Sequence, residues 1–431
     1  MTKINIGLIG FGNIGSGVVK ILQERKNFLK EKTGLEINVK KICDKDISSR
    51  RNITVDKGML TRDISEVLGD PHIDIVVELI GGINPAKEFI TEALKKGKHV
   101  VTANKALLAE HGRELFALAA DRGRCIYFEA SVGAGIPIIK AVREGLVANK
   151  FHSIYGIVNG TSNFVLSQMS TENCSFNDAL KQAKIRGFAE KDPSLDINGI
   201  DSAHKLALLV YLCFGRMVNL NDIFIEGIAR ISLADINYAD EMGFHIKLLA
   251  IAKKTHDELE VRVHPTLISR EHLLASVSGV NNAIYISADL AGNLLFYGPG
   301  AGQSQAASAV VSDIVDLTQD IKAGLFRPTL NITQDKSIKK LSRIDDIESR
   351  YYIRLVTEDK AGVLAKISGV LAKFGISIAS VTQKERQKAQ EVPIVMIAHK
   401  AKEKNLRHAL EIIDRLGVIK QKSVAIRIEE L

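Results

Sequence analysis

Apolar runs alternate with amphipathic stretches along the first 130 residues of the chain. Continuous apolar runs predict buried strands, whereas an apolar position every three or four residues predicts a helix. The predicted strands are Lys3–Ile9, Leu35–Cys43, Ile73–Ile80, His99–Thr102 and Cys125–Glu129, and the predicted helices are Gly17–Lys30, Pro85–Lys96 and Lys105–Arg122. Repeated strand–helix units predict an α/β domain with a Rossmann-like, doubly wound parallel sheet over residues 1–130, completed by a helix near 303–325.

The pattern changes after residue 130. Residues 131–326 predict a second, α+β domain, with helices at Phe176–Gly187, Asp201–Phe214 and Ala239–Lys254 and strands at Ser153–Val158, Glu260–Leu267 and Ala283–Leu290. A polar stretch at 327–349 is interpreted as a linker. Residues 350–431 then predict a ferredoxin-like βαββαβ domain, with strands Tyr351–Thr357, Ile376–Gln383, Val392–His399 and Val418–Ile428 and helices Gly362–Phe374 and Lys402–Leu416.

Composition excludes several classes of protein. With 431 residues, 46% hydrophobic and 25% charged, the chain is typical of a multi-domain globular protein. It has no uninterrupted apolar run of about 18 residues and no signal-peptide cleavage site, which predicts a cytoplasmic protein that does not contact a membrane. The net charge of +8 is spread among 50 acidic residues without a nucleic-acid module, so we expect a basic surface and no nucleic-acid partner.

The cysteines and histidines indicate no metal chemistry of their own. The four cysteines have no CxxC spacing, and Cys43, Cys125 and Cys213 lie in apolar runs, so a disulfide framework is not expected. The 11 histidines form no HxxxH or HExxH pattern, which argues against a catalytic zinc.

The glycines after the first strand predict a dinucleotide site. The segment Gly10-Phe11-Gly12-Asn13-Ile14-Gly15 fits GxGxxG, and it ends a strand and opens a helix, which is the context that gives the motif its meaning. Gly10 permits the tight turn, Gly12 lets the backbone approach a pyrophosphate, and Gly15 allows close packing of the helix. The helix N-terminus then offers amide donors to the phosphates.

The choice between NAD and NADP stays open from the sequence. Asp44 ends the second strand, where a carboxylate accepts hydrogen bonds from a ribose 2′-hydroxyl and favours NAD. Four basic residues follow closely and are able to hold a 2′-phosphate instead: Lys45, Arg50, Arg51 and Lys57. Alternatively, these four are ordinary surface charges.

Longer motifs follow in a fixed order. They are Val100-Val101-Thr102-Ala103-Asn104-Lys105, Glu129-Ala130-Ser131-Val132-Gly133-Ala134-Gly135-Ile136-Pro137, Val158-Asn159-Gly160-Thr161-Ser162-Asn163-Phe164, Gly187-Phe188-Ala189-Glu190-Lys191-Asp192-Pro193 and Gly298-Pro299-Gly300-Ala301-Gly302. With the GFGNIGSG start, they resemble the homoserine dehydrogenase family over about Ile4–Leu325. The βαββαβ part resembles an ACT domain. The resemblance implies reversible NAD(P)H-dependent reduction of L-aspartate 4-semialdehyde to L-homoserine, in threonine, methionine and isoleucine biosynthesis, by a monofunctional form of the enzyme.

Residues of the helix at 201–214 are the candidates for proton transfer. Asp201 and Lys205 are four positions apart and face the same way, and the apolar residues that follow predict that Lys205 is partly buried. Burial lowers the pKa of an ammonium towards the range useful for acid–base chemistry. An ordinary exposed ion pair is the alternative. The resemblance makes Lys205 the proton donor in aldehyde reduction and gives Asp201 the role of orienting the substrate or Lys205.

The resemblance also implies the remaining contacts with substrate and cofactor. Glu190 matches the carboxylate that binds the substrate amino group, with Asp196 as support. The full expected set adds Lys105, Gly160 and Thr161 for the substrate and Thr102, Ala103, Lys105 and Gly302 for the cofactor. Lys105 opens a helix directly after a strand, where parallel sheets bind ligands, although a surface lysine at a helix start is the alternative.

A monovalent cation, Na⁺ or K⁺, is expected in the glycine-rich turn after the fifth strand. One carboxylate from Glu129 and backbone carbonyls from Val132, Ala134 and Ile136 supply oxygen ligands at short range. The family has such a site. A strained loop that serves only the backbone is the alternative.

The ACT-like region predicts an effector site. Asp359 is placed to cap the helix that follows, and Gly362 is placed to admit a ligand near backbone amides. Threonine, the pathway product, is the expected effector, bound near Asp359, Gly362, Gly375 and Ile376 and inhibitory. Because ACT domains pair, we expect a homo-oligomer, a dimer or a tetramer. A module for oligomerisation alone is the alternative.

Three other functions are weighed against this prediction. Another Rossmann oxidoreductase of amino or hydroxy acids does not need Glu190, Asp201 and Lys205 together. An aldehyde dehydrogenase that forms a thioester needs a nucleophilic cysteine in an electropositive turn, which the sequence lacks. The non-enzyme alternative, a sensor of dinucleotide and amino acid, predicts binding without turnover.

Overall fold

The structure is a computed structural model that describes residues 3–325, 335–383 and 391–431. It forms two compact units, residues 1–151, 204–221 and 282–335, and residues 152–203, 222–281 and 336–431. The helices are α1 Asn13–Glu24, α2 Lys26–Thr33, α3 Ser65–Leu68, α4 Ala86–Lys95, α5 Lys105–Asp121, α6 Ile138–Lys140, α7 Gly160–Thr171, α8 Phe176–Ile185, α9 Ser194–Ile197, α10 Ile200–Phe214, α11 Leu233–Glu241, α12 Gln303–Lys322, α13 Val363–Lys373 and α14 Glu403–Ile413. The strands are β1 Lys3–Ile9, β2 Glu36–Cys43, β3 Leu60–Thr61, β4 Ile75–Glu78, β5 His99–Thr102, β6 Ile126–Tyr127, β7 Phe151–Ile157, β8 Phe224–Ile225, β9 Phe244–Thr255, β10 Glu258–Ser269, β11 Asn281–Ala288, β12 Gly292–Pro299, β13 Lys340–Leu341, β14 Glu348–Glu358, β15 Ile378–Gln383, β16 Glu391–Lys402 and β17 Ile419–Glu429.

The first unit holds the predicted parallel sheet. Its six strands run in the order β3-β2-β1-β4-β5-β6, and each neighbouring pair is parallel. The reversal of strand order at β1 and β4 is the position at which open α/β sheets bind ligands. Helix α12 joins the same core, since Val310 and Ile314 pack with Val18 of α1 and Leu8 of β1. The doubly wound fold is thus confirmed.

The second unit contains the βαββαβ region in the predicted order, with strands arranged β17-β14-β16-β15. Its sheet continues into the α+β part, because β17 pairs with β10 in parallel from Thr266 opposite Arg427 to Ile268 opposite Glu429. On its other side β10 forms a long antiparallel pair with β9. The C-terminal domain is therefore joined to the rest of this unit by continuous backbone hydrogen bonding.

The predicted helix Ala239–Lys254 is wrong. Helix α11 ends at Glu241, Gly243 has a φ of +81°, and strand β9 follows at Phe244–Thr255. The middle of β9 is buried on both faces, and such a continuous apolar run has no alternation that separates a strand from a buried helix. The short strand β3 and the strand β12 were not predicted.

Two further segments differ from their predicted form. The predicted helix Gly17–Lys30 is two helices, α1 and α2, which meet at Arg25. Residues 327–334 of the predicted linker 327–349 lie outside the described residues. The rest of the predicted linker contains β13 and a short 3₁₀ helix at Ile344–Asp346. All four cysteines are free thiols. Within the described residues, no helix has the length and apolar character needed to cross a bilayer.

Candidate active site

The glycine loop between β1 and α1 forms an open cradle. Gly10 has a φ of +99°, and a Cβ there would lie 2.7 Å from the backbone carbon of Leu79. A Cβ on Gly15 would lie 2.0 Å from the carbonyl oxygen of Gly10, whereas a Cβ on Gly12 would meet nothing within 4 Å. The cap residue Gly12 has no side chain that could accept hydrogen bonds from the first amides of α1. The first turn of the helix also contains no acidic residue. Its amides are therefore available to an anion, and the space beside Gly12 fits a pyrophosphate.

Asp44 is tied to this loop. Its Oδ2 accepts a hydrogen bond from the Phe11 amide, and its Oδ1 accepts one from the Asp46 amide at 2.8 Å. Arg51 lies at the same point, with its guanidinium 4.7 Å from the Phe11 ring centroid and its Nη2 3.9 Å from Asp44 Oδ1. The structure thus brings one of the four candidate basic residues to the loop with Asp44.

Lys45, Arg50 and Lys57 are the other three candidate basic residues, and all are exposed. Gly302 is far from the glycine loop in sequence but close to it in the fold. It has a φ of +128° and precedes α12, whose first residue, Gln303, donates from Nε2 to the carbonyl oxygen of Asn13 at 2.7 Å. The residue that follows Gly302 is therefore held against the first turn of α1.

A buried carboxylate that the sequence did not single out organises the ends of β4 and β5. Glu78 is fully buried, and burial raises the pKa of its carboxyl group. Its Oε2 accepts from the Thr102 hydroxyl at 2.6 Å, and its Oε1 accepts from the amides of Ile80 and Gly81 at 2.9 and 3.2 Å. Glu78 thus fixes the loop after β4 against Thr102.

Asn104 connects the loop after β4 with the start of α5, where Lys105 lies. Its side chain donates to the carbonyl oxygen of Gly82 at 2.6 Å and accepts from the Leu107 amide at 3.1 Å, which caps α5. Lys105 is the first residue of α5, so the prediction that it opens a helix directly after a strand is confirmed. Thr102, Ala103 and Lys105 lie at the carboxyl edge of the parallel sheet, together with the glycine loop.

In the second unit, Asn159 gathers residues that are far apart in sequence. Its Nδ2 donates to Asp196 Oδ1 at 2.7 Å and to Asp201 Oδ2 at 2.8 Å. Its Oδ1 accepts from the Ser162 amide at 2.8 Å, so the same side chain caps α7. Gly160 begins α7 directly after this cap. The amide of Asn159 therefore holds two carboxylates at the start of a helix.

Thr161 extends this cluster to the predicted Gly187–Pro193 motif. Its hydroxyl donates to the carbonyl oxygen of Phe188 at 2.6 Å. Two residues later, Glu190 is exposed. The structure thus brings Gly160, Thr161, Asp196 and Asp201 together and leaves the Glu190 carboxylate open to solvent, where an amino group is able to bind it.

Helix α10 carries both proposed proton-transfer residues. Asp201 and Lys205 are each 9% exposed, so the predicted burial of Lys205 is confirmed. The helix is otherwise strongly apolar, with Leu206, Leu208 and Leu209 buried. An exposed surface ion pair is therefore excluded as the description of these two residues.

The Glu129 turn has a buried carboxylate beside a cavity. Its two oxygens accept from the amides of Ile139 and Lys140 at 2.9 and 2.8 Å, and burial raises its pKa to about 7. A cavity of about 490 Å³, lined in part by Glu129, Ala134 and Asp313, lies beside it. Ser131 Oγ, in the same turn, is buried without a hydrogen-bond partner among the described residues.

The side-chain atoms of this turn that could bind a hard cation are all oxygens. Each Glu129 oxygen keeps a lone pair beyond its one amide contact, and the orphaned Ser131 hydroxyl is a further oxygen donor. Within the described residues, no group of three or more His, Cys, Asp or Glu side chains is arranged to hold a metal ion. A site here would therefore depend on backbone carbonyls, as in the predicted set of Val132, Ala134 and Ile136.

Comparison with known proteins decides the family. The model of the homoserine dehydrogenase family matches residues 137–315, that of the homoserine dehydrogenase NAD-binding domain matches 10–129, and that of the ACT domain matches 351–418. A homoserine dehydrogenase of Neisseria gonorrhoeae is 40% identical over 434 residues, which cover 100% of both chains. The chain belongs to the homoserine dehydrogenase family.

Solved structures of homoserine dehydrogenases are similar to this chain. One from Thiobacillus denitrificans is 40% identical, with a TM-score of 0.91 over 100% of this chain and 99% of that one. A hyperthermophilic archaeal homoserine dehydrogenase in complex with NADPH is 29% identical, with a TM-score of 0.63 over 76% of this chain and 100% of that one. As a member of this family, the chain is an NAD(P)-dependent oxidoreductase that acts on a CH–OH group.

The ACT domain of this chain differs from one expectation. Helix α13 is capped by Gly362, which has a φ of +84°, and not by Asp359. The left-handed conformation of Gly362 turns the chain into the helix without a side-chain cap. Among the described residues, a Cβ on Gly362 or on Gly375 would meet no atom within 4 Å, whereas Ile376 is buried. Space beside two of the four predicted effector residues is therefore open.

Sequence reasoning missed several residues that position the predicted site. Glu78, Asn104, Asn159 and Gln303 each form a hydrogen bond with a predicted site residue, Asn104 through its backbone amide, which donates to the Thr102 hydroxyl at 3.0 Å. An asparagine immediately before an apolar helix is a recognisable cap signal, and it was available for Asn104 and Asn159. No local signal marks Glu78 or Gln303, whose partners are 24 and more than 280 positions away.

Proposed function

We propose that this chain catalyses the reversible NAD(P)H-dependent reduction of L-aspartate 4-semialdehyde to L-homoserine, in the cytoplasm, as a step towards threonine, methionine and isoleucine. The observation that carries the proposal is the Asn159 cluster, which gathers Asp196, Asp201, Gly160 and Thr161 at one helix start. The resemblance assigns Gly160, Thr161 and Asp196 to the substrate, and it gives Asp201 the role of orienting the substrate or Lys205. The glycine cradle of the first unit supplies the fit to the dinucleotide.

The bound dinucleotide supplies or accepts the hydride. This chain's own residues bind and move protons: Lys205 donates a proton to the aldehyde oxygen as negative charge builds there, and takes it back in the reverse direction. Glu190 binds the substrate ammonium, with Asp196 in support. Asp201 orients the substrate or Lys205, while Lys105 contacts the ligands from the start of α5.

The cofactor choice follows from Asp44 and Arg51. Because Asp44 already accepts hydrogen bonds from the amides of Phe11 and Asp46, we propose that it serves the loop, and that Arg51 pairs with the 2′-phosphate of NADP. The NADPH complex of the archaeal relative supports this assignment. NAD is the alternative.

The decisive measurement is homoserine-dependent reduction of NADP⁺ and, separately, of NAD⁺, followed by absorbance. We expect turnover with both and a lower KM for NADP⁺. Arg51→Gln should raise the KM for NADP⁺ roughly 10-fold or more, the cost of one charge-assisted contact, and change that for NAD⁺ much less. Arg50→Gln is the control, since Arg50 is exposed. A lower KM for NAD⁺ in the wild type would refute the NADP assignment, and dinucleotide binding without turnover would favour the sensor alternative.

We also propose that Glu129, Val132, Ala134 and Ile136 hold Na⁺ or K⁺, which would fix the turn before α6. Exchange of KCl or NaCl for tetramethylammonium chloride at equal ionic strength should lower the melting temperature of the wild type, because the large cation cannot enter an oxygen-lined site. Glu129→Gln should melt at the same temperature in all three salts. Equal melting of the wild type in the three salts would remove the cation from the proposal.

Threonine is the proposed inhibitor, bound near Asp359, Gly362, Gly375 and Ile376, in a homo-oligomer, a dimer or a tetramer. Calorimetry with the full chain should show saturable threonine binding, and the same threonine concentration should lower the rate of homoserine oxidation. Gly362→Asn places a side chain in the open space beside that glycine, with a residue that tolerates the left-handed backbone, and should weaken binding. Leucine at equal concentration is the control ligand. If titration with threonine releases or absorbs no heat of binding, the ACT domain would have a role in oligomerisation alone.

A further inference from the structure

A short segment of the second unit, Phe224–Ile228, connects the ACT domain with the substrate cluster. On the ACT side, Arg427 of β17 donates from Nη1 to Glu226 Oε2 at 2.8 Å, and its guanidinium lies 4.8 Å from the Phe224 ring centroid. Arg427 is 5% exposed and is also held by Glu403, to which its Nε donates at 2.9 Å. Glu403 therefore holds the Arg427 guanidinium in place, and the segment packs against this guanidinium.

The backbone of the same segment lies directly on helix α9. The Ile228 amide donates to the carbonyl oxygen of Ile197, the last residue of α9, at 2.8 Å. A Cβ on Gly227 would lie 2.2 Å from that same oxygen and 2.6 Å from the Asn198 Cα, so only glycine permits this approach. Any shift of the segment therefore has to move the end of α9 with it, because close-packed backbone leaves no slack.

Helix α9 carries Asp196, the carboxylate that receives the Asn159 amide. The carbonyl oxygen of Asp196 also accepts from the Ser162 hydroxyl at 2.9 Å, so α9 touches the first turn of α7 at two points. The same Asn159 amide holds Asp201. Every step from Arg427 to Asp201 is thus a hydrogen bond, an ion pair or a backbone contact between described residues of one unit.

We propose that Glu226 and Gly227 are positioning residues for the homoserine site, through which Arg427 of the ACT domain sets the position of Asp196 and Asn159. This inference rests on the proposed function for its kinetic consequence. The Glu226–Arg427 pair is the point where the ACT domain acts on the substrate cluster, and it is accessible to change, since the Glu226 side chain is 33% exposed.

The first test is Glu226→Gln, which keeps the shape of the side chain and removes its charge. We expect the KM for homoserine to rise roughly 2- to 30-fold, the range of couplings carried through packed networks, with kcat and the KM for NADP⁺ little changed. Gly227→Ala should raise the same KM without touching the ACT domain, because its Cβ displaces α9. A KM for homoserine that stays at the wild-type value in both variants, with melting temperatures showing that both fold, would overturn the proposal.

The matched control is Asp235→Asn. Asp235 is a buried carboxylate that binds another ACT arginine, Arg354, at 2.6 Å, but it belongs to α11 and not to the segment on α9. If loosening the ACT domain in general were the cause, Asp235→Asn would raise the KM for homoserine as much as Glu226→Gln, and the proposal would fail. An unchanged KM in this variant supports the specific route.

Hydrogen–deuterium exchange separates this inference from the proposed function. Glu226→Gln should speed amide exchange in the peptide that spans 194–201, whereas Asp235→Asn should leave that peptide as in the wild type. If the wild type does not oxidise homoserine yet the exchange differs as expected, the route stands and the proposed function fails. If the wild type oxidises homoserine and the exchange of this peptide is the same in all three proteins, the route fails.

Discussion

Lys205→Ala is expected to lower kcat for homoserine oxidation by about 10²- to 10⁴-fold, the usual contribution of a positioned general acid or base. Lys205 lies buried on an apolar helix that also carries Asp201, and its amine is the group proposed to exchange a proton with the substrate oxygen. The affinity for NADPH should stay near the wild-type value, because the glycine cradle is unchanged. Steady-state kinetics and fluorescence titration with NADPH measure the two quantities separately.

Two companion variants make this result specific. Lys205→Arg keeps a positive charge but holds its proton too tightly to donate it, so it should be nearly as inactive as the alanine variant. Lys181→Ala removes an exposed lysine of α8 and should retain full activity. An active Lys205→Arg would show that charge alone suffices, and Lys205 would then be an electrostatic contact and not the proton donor.

The local pattern predicted the parallel sheet well, because its central strands β1, β4 and β5 are short, largely buried apolar runs that alternate with amphipathic helices. Strands β1 and β5 begin and end at the predicted residues. The same buried character misled the prediction at β9, whose apolar run carries Lys247 and looks helical. The paired strand that settles the matter is β10, and pairing is a tertiary property that a single-sequence window does not contain.

For the candidate site, the sequence motifs name residues that the structure brings together, but they do not name the residues that hold them in place. Asp196 and Asp201 were named from their motif, yet the reason that they lie together is the Asn159 amide, about 40 positions away. Likewise Asp44 was predicted at the end of β2, but its contact with the Phe11 amide depends on how two strands align. Positioning contacts are set by the fold and have no spacing of their own along the chain.

Gly12→Val and Gly15→Val are expected to separate cofactor binding from folding. Apart from its chain neighbours, a Cβ on Gly12 would lie more than 4 Å from every atom of the described residues, so Gly12→Val should fold with a loss of stability of up to about 1 kcal/mol from the changed helix cap. Its side chain would occupy the space proposed for the pyrophosphate. Losing one charge-assisted hydrogen bond there, about 1.5–3 kcal/mol, should weaken NADP⁺ binding roughly 10- to 100-fold.

Gly15→Val should behave in the opposite way, since its Cβ would lie 2.0 Å from the Gly10 carbonyl oxygen and has to push the loop and α1 apart. We expect a large fall in melting temperature, with cofactor binding lost only as a consequence of the displaced loop. Thermal unfolding with and without NADP⁺ measures both effects: the cofactor should stabilise the wild type strongly and Gly12→Val weakly. Full stabilisation of Gly12→Val by NADP⁺ would mean that the pyrophosphate does not approach Gly12, and the cradle would then have only a structural role.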